Sequence, residues 1–250
     1  MILGIDVGNT NTVCALIENG ILTKEYRYNT EKSENAEYYK LHIKEVVCNT
    51  FIDGVIISSV VPEINDCLRR ACNELFDLSP IFVSSNLNTG LSIKYDNPEK
   101  LGADLITAAA GAVSKYKTPL IIIDIGTATT FSVINEKNEY LGGLIAPGPY
   151  TSVKALASSA SQLPEISIEA TDKVIGTNTV DAIKVGVITA HSAMIDTMAD
   201  RIINSLGFTD TTLISTGGFS EKITSMCINK IIFDENLIFD GLYQIYKMNF

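Results

Sequence analysis

"LIIIDIGTATTFSVI" (residues 120–134) decides the fold. An apolar run ends in Asp124, a glycine turn follows, and a second run rich in Thr, Val and Ile returns. Runs rich in β-branched residues on both sides of a tight turn read as two antiparallel strands. The chain opens on nearly the same text. "ILGIDVGNTNTVCALI" (2–17) spaces Asp6, Gly8 and Thr12 as the later stretch spaces Asp124, Gly126 and Thr130.

Working outward from the first copy, the spacing predicts strands over 2–7, 12–20 and 21–28. Asn19-Gly20 between strand-like runs is a strong hairpin signal. A helix follows over 33–50, with Ser33 able to cap it, and a strand is expected at 54–60. A second helix starts at Pro62, where the missing N–H does no harm, and leads to a strand at 80–84. The order is βββαβαβ. After a helix around 98–117 it restarts. Strands are expected at 120–124, 129–134 and 139–145, then a helix near 150–163 and a long helix over 179–206. A strand at 211–216, a helix from 219, a strand near 230–233 and a last helix after 236 complete it. The expectation is an α/β chain of two domains, 1–116 and 117–250, divided near Lys115 to Pro119. The repeat lies in the topology and in one motif.

Each motif sits where a first strand hands over to a second. Gly8 and Gly126 lack a Cβ, which permits a tight turn and close approach to a ligand. Asn9, Thr10, Asn11 and Thr12 in one copy, and Thr127, Thr129 and Thr130 in the other, supply donors. With backbone N–H groups they can grip phosphate oxygens without a lysine. Asp6 and Asp124 emerge at strand ends, and carboxylates suit a hard cation such as Mg²⁺, normally through water. A single Asp-x-Gly-x-x turn reads as a hairpin with local Asx and ST bonds. Two copies at equivalent points of a repeated topology favour two loops clamping a polyphosphate in a nucleotide cleft between domains. "LISTGGFS" (213–220) adds Gly217-Gly218 between a strand and a helix, where backbone can lie flat against a nucleotide. By itself that turn is equally a steric glycine.

Composition narrows the class. The formal net charge is −10 and 46% of residues are hydrophobic. Without a basic cluster, a nucleic-acid backbone is an unsuitable partner. The five cysteines are Cys14, Cys48, Cys67, Cys72 and Cys227. Their spacing fits neither a zinc nor a redox motif, so reduced and mostly buried thiols are expected. His42 and His191 stand apart and read as surface or packing residues, not metal ligands. The opening residues enter a strand without the charged region of a signal peptide, and no apolar run reaches a membrane span. The expected location is the cytoplasm, with no membrane partner.

These segments together resemble the superfamily of acetate kinase, sugar kinases, heat-shock-70 proteins and actin, built from two ribonuclease H-like, actin-like ATPase domains. Within it the match is to the type III pantothenate kinase family. "DVGNTNT" and "DIGTATT" are similar to its two phosphate segments, and "YDNPEKLGAD" (95–104) to its Tyr-x-x-Pro…Gly-Ala-Asp element. "GGLIAPG…ALASSASQLP" (142–164), "IGTNTVDAIKVG" (175–186), "STGG" (215–218) and "DENLIFDGL" (234–242) follow in family order. The resemblance implies ATP-dependent phosphorylation of pantothenate to 4'-phosphopantothenate, the first step of coenzyme A biosynthesis. It implies ATP, Mg²⁺ and a monovalent cation, K⁺ or NH₄⁺, as cofactors.

The same resemblance implies residue roles. Asp104 accepts the hydroxyl proton and aligns it with the γ-phosphoryl group; read from the residues alone, it is equally a first-turn Asp complementing a helix dipole. Asp6, Val7, Gly8, Asn9, Thr10, Asn11, Thr12 and Val13 form the first ATP segment, with Mg²⁺ reached from Asp6 through water. Gly126, Thr127, Gly217 and Gly218 hold ATP, and Asp124 attends the monovalent cation. Tyr95, Gly102, Ala103, Asp104, Leu105 and Thr179 face pantothenate, Gly102 by clearing space for a ligand. Read without the family, Thr179 is a helix N-cap and Tyr95 a loop tyrosine. Leu105 departs from the arginine that many members carry there. The small residues Ala182, Gly186, Ala190 and Ala193 make either core or, as in the family, part of a homodimer interface. The rival functions are a regulatory protein on the same fold and a kinase of another small alcohol.

Overall fold

The computed structural model describes every residue except Ala170 and Asp172. Contacts divide the chain into two compact units, Met1–Lys115 with Asn236–Phe250, and Tyr116–Glu235.

The first unit is built on strands β1 (Ile2–Val7), β2 (Asn11–Glu18), β3 (Ile21–Asn29), β4 (Gly54–Ser59) and β5 (Ile81–Phe82). Their order is β3-β2-β1-β4-β5. The first three are antiparallel neighbours, and β4 and β5 add in parallel. The expected hairpin closes at Asn19 and Gly20, both at positive φ, which suits the twist of the flanking strands. Helix α1 (Ala36–Val47) is capped by Asn35, whose side chain accepts from the N–H groups of Glu37 and Tyr38. Ser33 therefore lies outside the helix. Pro62 opens a short 3₁₀ turn that leads into α2 (Asn65–Phe76). A short strand β6 (Ser92–Ile93) precedes α3 (Ala103–Lys115).

Alternation along β1 sorts the two faces of this sheet. Leu3, Ile5 and Val7 join Val55 and Ile57 in a core with Tyr39 and Ile43 of α1 and Leu68 of α2. Gly4 points the other way, where an added Cβ would sit 3.1 Å from Leu242 and 3.5 Å from Phe239. Both belong to the last helix, α8 (Leu237–Asn249). Asp6, two residues on, shares that second face.

Helix α8 is where the structure departs from the expected domains. The division 1–116 and 117–250 assigned it to the second unit, but Asn236–Phe250 belongs with the first. The cause is a close approach of two helices. A Cβ on Gly241 would meet the Thr107 carbonyl oxygen at 1.9 Å, and one on Gly111 the Leu237 carbonyl oxygen at 2.2 Å. Around this contact α3 carries Ala108, Ala109, Ala110 and Ala112, all buried. Lys115 closes the far end on Asp240 at 2.6 Å.

The second unit repeats the first. Strands β7 (Leu120–Ile125), β8 (Ala128–Ile134) and β9 (Glu139–Pro147) are antiparallel neighbours, and β10 (Thr212–Thr216) and β11 (Ile232–Phe233) add in parallel beside β7. Within the unit the order β9-β8-β7-β10-β11 mirrors that of the first. Ile121, Ile123 and Ile125 pack with Phe131 against Val187, Ile195 and Ala199. Helices α4 (Pro149–Ser159), α5 (Thr179–Lys184), α6 (Ala190–Leu206) and α7 (Ser220–Thr224) flank the sheet. The single helix expected over 179–206 is in fact α5, a π turn at Val185–Thr189, and α6.

The thiols are less buried than expected. All five are free, but only Cys14 and Cys72 are buried, and Cys48 is exposed. His42 stacks on Tyr28 with centroids 4.1 Å apart, a packing role.

Candidate active site

In the first unit, chemistry gathers at the end of β1. Gly8 N–H donates to Asn11 O at 2.9 Å and closes the turn, which places Asn9 and Thr10 at its exposed tip. Thr12 turns inward, fully buried, with its hydroxyl 2.9 Å from that of Thr30. Val7 and Val13 are also buried. These three can offer a ligand only backbone.

Asp6 precedes this loop. Its pKa is raised from 3.8 to about 7, first because protein encloses the carboxyl, then because the charge of Asp104 opposes its ionisation. By surface area Asp6 keeps partial access, so a ligand can still reach it. Asp104 comes from the first turn of α3. Burial raises its pKa too, while N–H donation by Leu105 at 2.8 Å pulls the other way. The two carboxyls oppose each other's ionisation, so they titrate as a pair. Ser58 sits beside Asp6 across the β1–β4 pairing. Its hydroxyl is fully buried and lacks a hydrogen-bond partner of good geometry, yet it lies near enough to ease the charge on Asp6. Two enclosed carboxylates and an orphaned hydroxyl make an oxygen-rich spot suited to a hard cation.

Gly102 leaves room for a neighbouring side chain. A Cβ there would lie 2.4 Å from Asp104 Oδ1. The space it clears is filled by the Asp104 carboxyl, so the glycine seats the carboxylate. Ala103 is buried, Leu105 is partly buried, and Tyr95 lies exposed in the loop before α3.

In the second unit the sequence motifs converge on β7. Asp124 faces Thr130 on β8 and Thr216 on β10. The turn after it closes through Gly126 N–H to Ala128 O at 2.9 Å. Thr127 O accepts from Gly148 N–H at 3.0 Å and from the Thr151 hydroxyl at 2.6 Å. Gly217 has φ of +96°, and a Cβ on it would lie 2.4 Å from Asp124 Oδ1 and 2.7 Å from Ile125 O. The "STGG" turn is thus folded onto the Asp124 turn, and only glycine fits there. Gly218, by contrast, has open space around it. The cradle at Gly217, bounded by a carboxylate and a carbonyl oxygen, suits a weakly hydrated cation.

Between α4 and the α5–α6 region lies a cavity of about 1130 Å³. Thr179 lines it, but the N-cap of α5 is Asn178, whose side chain accepts from Asp181 N–H at 2.9 Å. Thr179 is therefore the first helical residue, which leaves capping to its neighbour. His191 also lines the cavity and bonds Thr129 at 2.8 Å. The isolated His191 carries no sign in the sequence beyond a surface or packing role, and it is buried. A buried polar pair between a helix and a strand leaves no local signal.

Among the described residues, no three His, Cys, Asp or Glu side chains cluster as a metal cage, and no helix is long and apolar enough to cross a membrane. Two mixed sheets of the same order, each with an Asp-Gly turn after its first strand, define the actin-like ATPase fold. Solved structures agree on that fold. A putative Baf family transcriptional activator from Campylobacter jejuni matches with a TM-score of 0.66 at 21% identity, over 99% of this chain and 98% of its own. The activator of 2-hydroxyisocaproyl-CoA dehydratase from Clostridium difficile, solved with bound ADPNP, matches at 0.53 and 13%, over 98% and 93%.

Sequence comparison goes further. The family model described as type III pantothenate kinase matches residues 2–201. The type III pantothenate kinase of Halalkalibacterium halodurans is 37% identical over the whole of both chains. The chain belongs to the type III pantothenate kinase family. Its reaction is the ATP-dependent phosphorylation of pantothenate, which opens coenzyme A biosynthesis.

Proposed function

We propose that Asp104 is the base of this reaction, accepting the proton of the pantothenate hydroxyl as that oxygen attacks the γ-phosphoryl group. The observation that supports it is the enclosed Asp6–Asp104 pair beside the phosphate turn. Burial makes the Asp104 carboxylate a stronger base than a solvated one, and Gly102 fixes its position. Asp6 and its turn, Val7 to Val13, take the phosphate end of ATP, with Asn9 and Thr10 as the side chains that reach it. Mg²⁺, held through water by Asp6, would neutralise phosphate charge. Gly126, Thr127, Gly217 and Gly218 hold the nucleotide from the second unit's own turns, and Asp124 attends K⁺ or NH₄⁺.

Tyr95, Gly102 to Leu105 and Thr179 take pantothenate. With Leu105 where an arginine is frequent, no guanidinium is available at that position for the substrate carboxylate. The enzyme acts in the cytoplasm as a homodimer. Exposed apolar side chains at Ile145, Leu156, Val174 and Ile175 in the second unit support an interface there.

The test is Asp104→Asn. Turnover, followed by coupled ADP release, is expected to vanish while ATP binding by calorimetry survives. Loss of ATP binding with unchanged turnover per bound nucleotide would contradict the role.

A further inference from the structure

The bond between His191 and Thr129 joins two places the family motifs treat separately. Thr129 is fully buried on β8, two residues after Thr127 in the second phosphate turn. Its hydroxyl lies 2.8 Å from His191 Nε2, and either atom can donate. The imidazole sits 7% exposed at the start of α6 and lines the large cavity.

The helix is built to bring it there. Ile183, Val187, His191, Ile195 and Ala199 are buried at a strict spacing of four. On a helix of 3.6 residues per turn, each such step overshoots by about 40°, so the stripe would swing off the sheet. The π turn at Val185–Thr189 inserts one residue and removes about 100° of that swing. The irregular turn ends two residues before His191 and keeps the ring on the β8 side. π turns are uncommon and concentrate at functional positions.

We propose that His191 is a positioning residue for the kinase reaction: by holding the Thr129 hydroxyl it fixes the Gly126–Thr127 turn in the shape that receives ATP. The inference rests on the nucleotide role given above to that turn. Without this bond the first residues of β8 keep their ladder pairing, but the buried Thr129 hydroxyl loses its partner and the turn loosens.

The experiment compares His191→Phe, His191→Gln, Thr129→Val and the double variant His191→Phe/Thr129→Val by steady-state kinetics with each substrate varied in turn. His191→Phe is expected to raise KM for ATP at least fivefold and to leave KM for pantothenate within twofold. His191→Gln, which keeps a group able to bond the hydroxyl, is expected to recover most of the loss. Thr129→Val should match His191→Phe, and the double variant should be no worse than either, because each removes the same bond. Unchanged KM for ATP in His191→Phe, or additive losses in the double variant, would overturn the proposal. If His191→Phe does not fold, Thr129→Val reads the same bond from the other side, and normal kinetics there overturn it equally. Thr127→Val separates the two levels. If it too leaves KM for ATP unchanged, the nucleotide role of the turn fails. If it raises KM while His191→Phe does not, only the role of His191 fails.

Discussion

Replacing Asp6 by Asn should stabilise the ligand-free protein at alkaline pH while removing its grip on nucleotide. The structure sets the size. In the fold the Asp6 pKa rises from 3.8 to about 7, through burial first and the Asp104 charge second. Each tenfold change in proton affinity is about 1.4 kcal/mol, so ionised Asp6 costs the fold at most about 4 kcal/mol. The sign follows from linkage. Between 3.8 and about 7 the folded chain holds a proton that the unfolded chain has released, so stability falls as pH rises through that window and is level above it. Asn carries no such proton. From pH 5 to pH 8 the advantage of Asp6→Asn over the parent should therefore grow by about 2–3 kcal/mol. Urea unfolding in EDTA, followed by far-UV circular dichroism, reads this difference directly. Adding Mg²⁺ and ATP at pH 8 should stabilise the parent and leave the variant unchanged. A gain that does not vary with pH, or a variant less stable than the parent at pH 8, would refute the enclosed-pair reasoning.

Gly241→Ala puts a methyl group where only 1.9 Å separates it from the Thr107 carbonyl oxygen; overpacking should cost about 1–3 kcal/mol, outweighing the better helix propensity of alanine, and a denaturant melt checks it. Gly217→Ala meets both an unfavourable φ of +96° and the Asp124 carboxylate, so ATP affinity by calorimetry should fall at least about tenfold, with a lower melting temperature. Replacing K⁺ by Na⁺ at equal ionic strength should lower the rate of ADP release; equal rates in the two salts would count against the cation role of Asp124.

Much of the fold was legible because its signals are local. The Asp6 and Asp124 motifs fall at the same point of the same strand order, and Asn19-Gly20 makes the turn its sequence demands. What could not be read was partnership across the chain. Helical spacing after residue 236 marks an amphipathic helix but carries no address, so it does not say that α8 belongs with the first unit. Asn178 and Thr179 are both good capping residues, and only backbone geometry chooses Asn178. The spacing of four from Ile183 to Ala199 fits a helix with one inserted residue, but it does not say where the insertion falls, so the π turn at Val185–Thr189 could not be placed. Within the candidate site, the room that Gly102 leaves for the Asp104 carboxyl is a packing relation that the motif does not spell out.

The two enclosed acids stand on different elements, and their separation depends on how deeply α3 settles on the sheet. Asp6 is fixed by β1, whose pairing on both sides leaves it little freedom. Asp104 moves with α3. That helix lies deep because its inner face is alanine and glycine, and because α8 meets it at Gly111 and Gly241 with no side chain between the backbones. A larger residue at either glycine must lift the two helices apart, and the first turn of α3 carries Asp104 with it. The C-terminal "DENLIFDGL" segment thus bears on the acid pair through packing. A substitution at Gly241 should lower stability and turnover together, and should also relax the Asp6 pKa, because the charge that helps to raise it would then sit farther away.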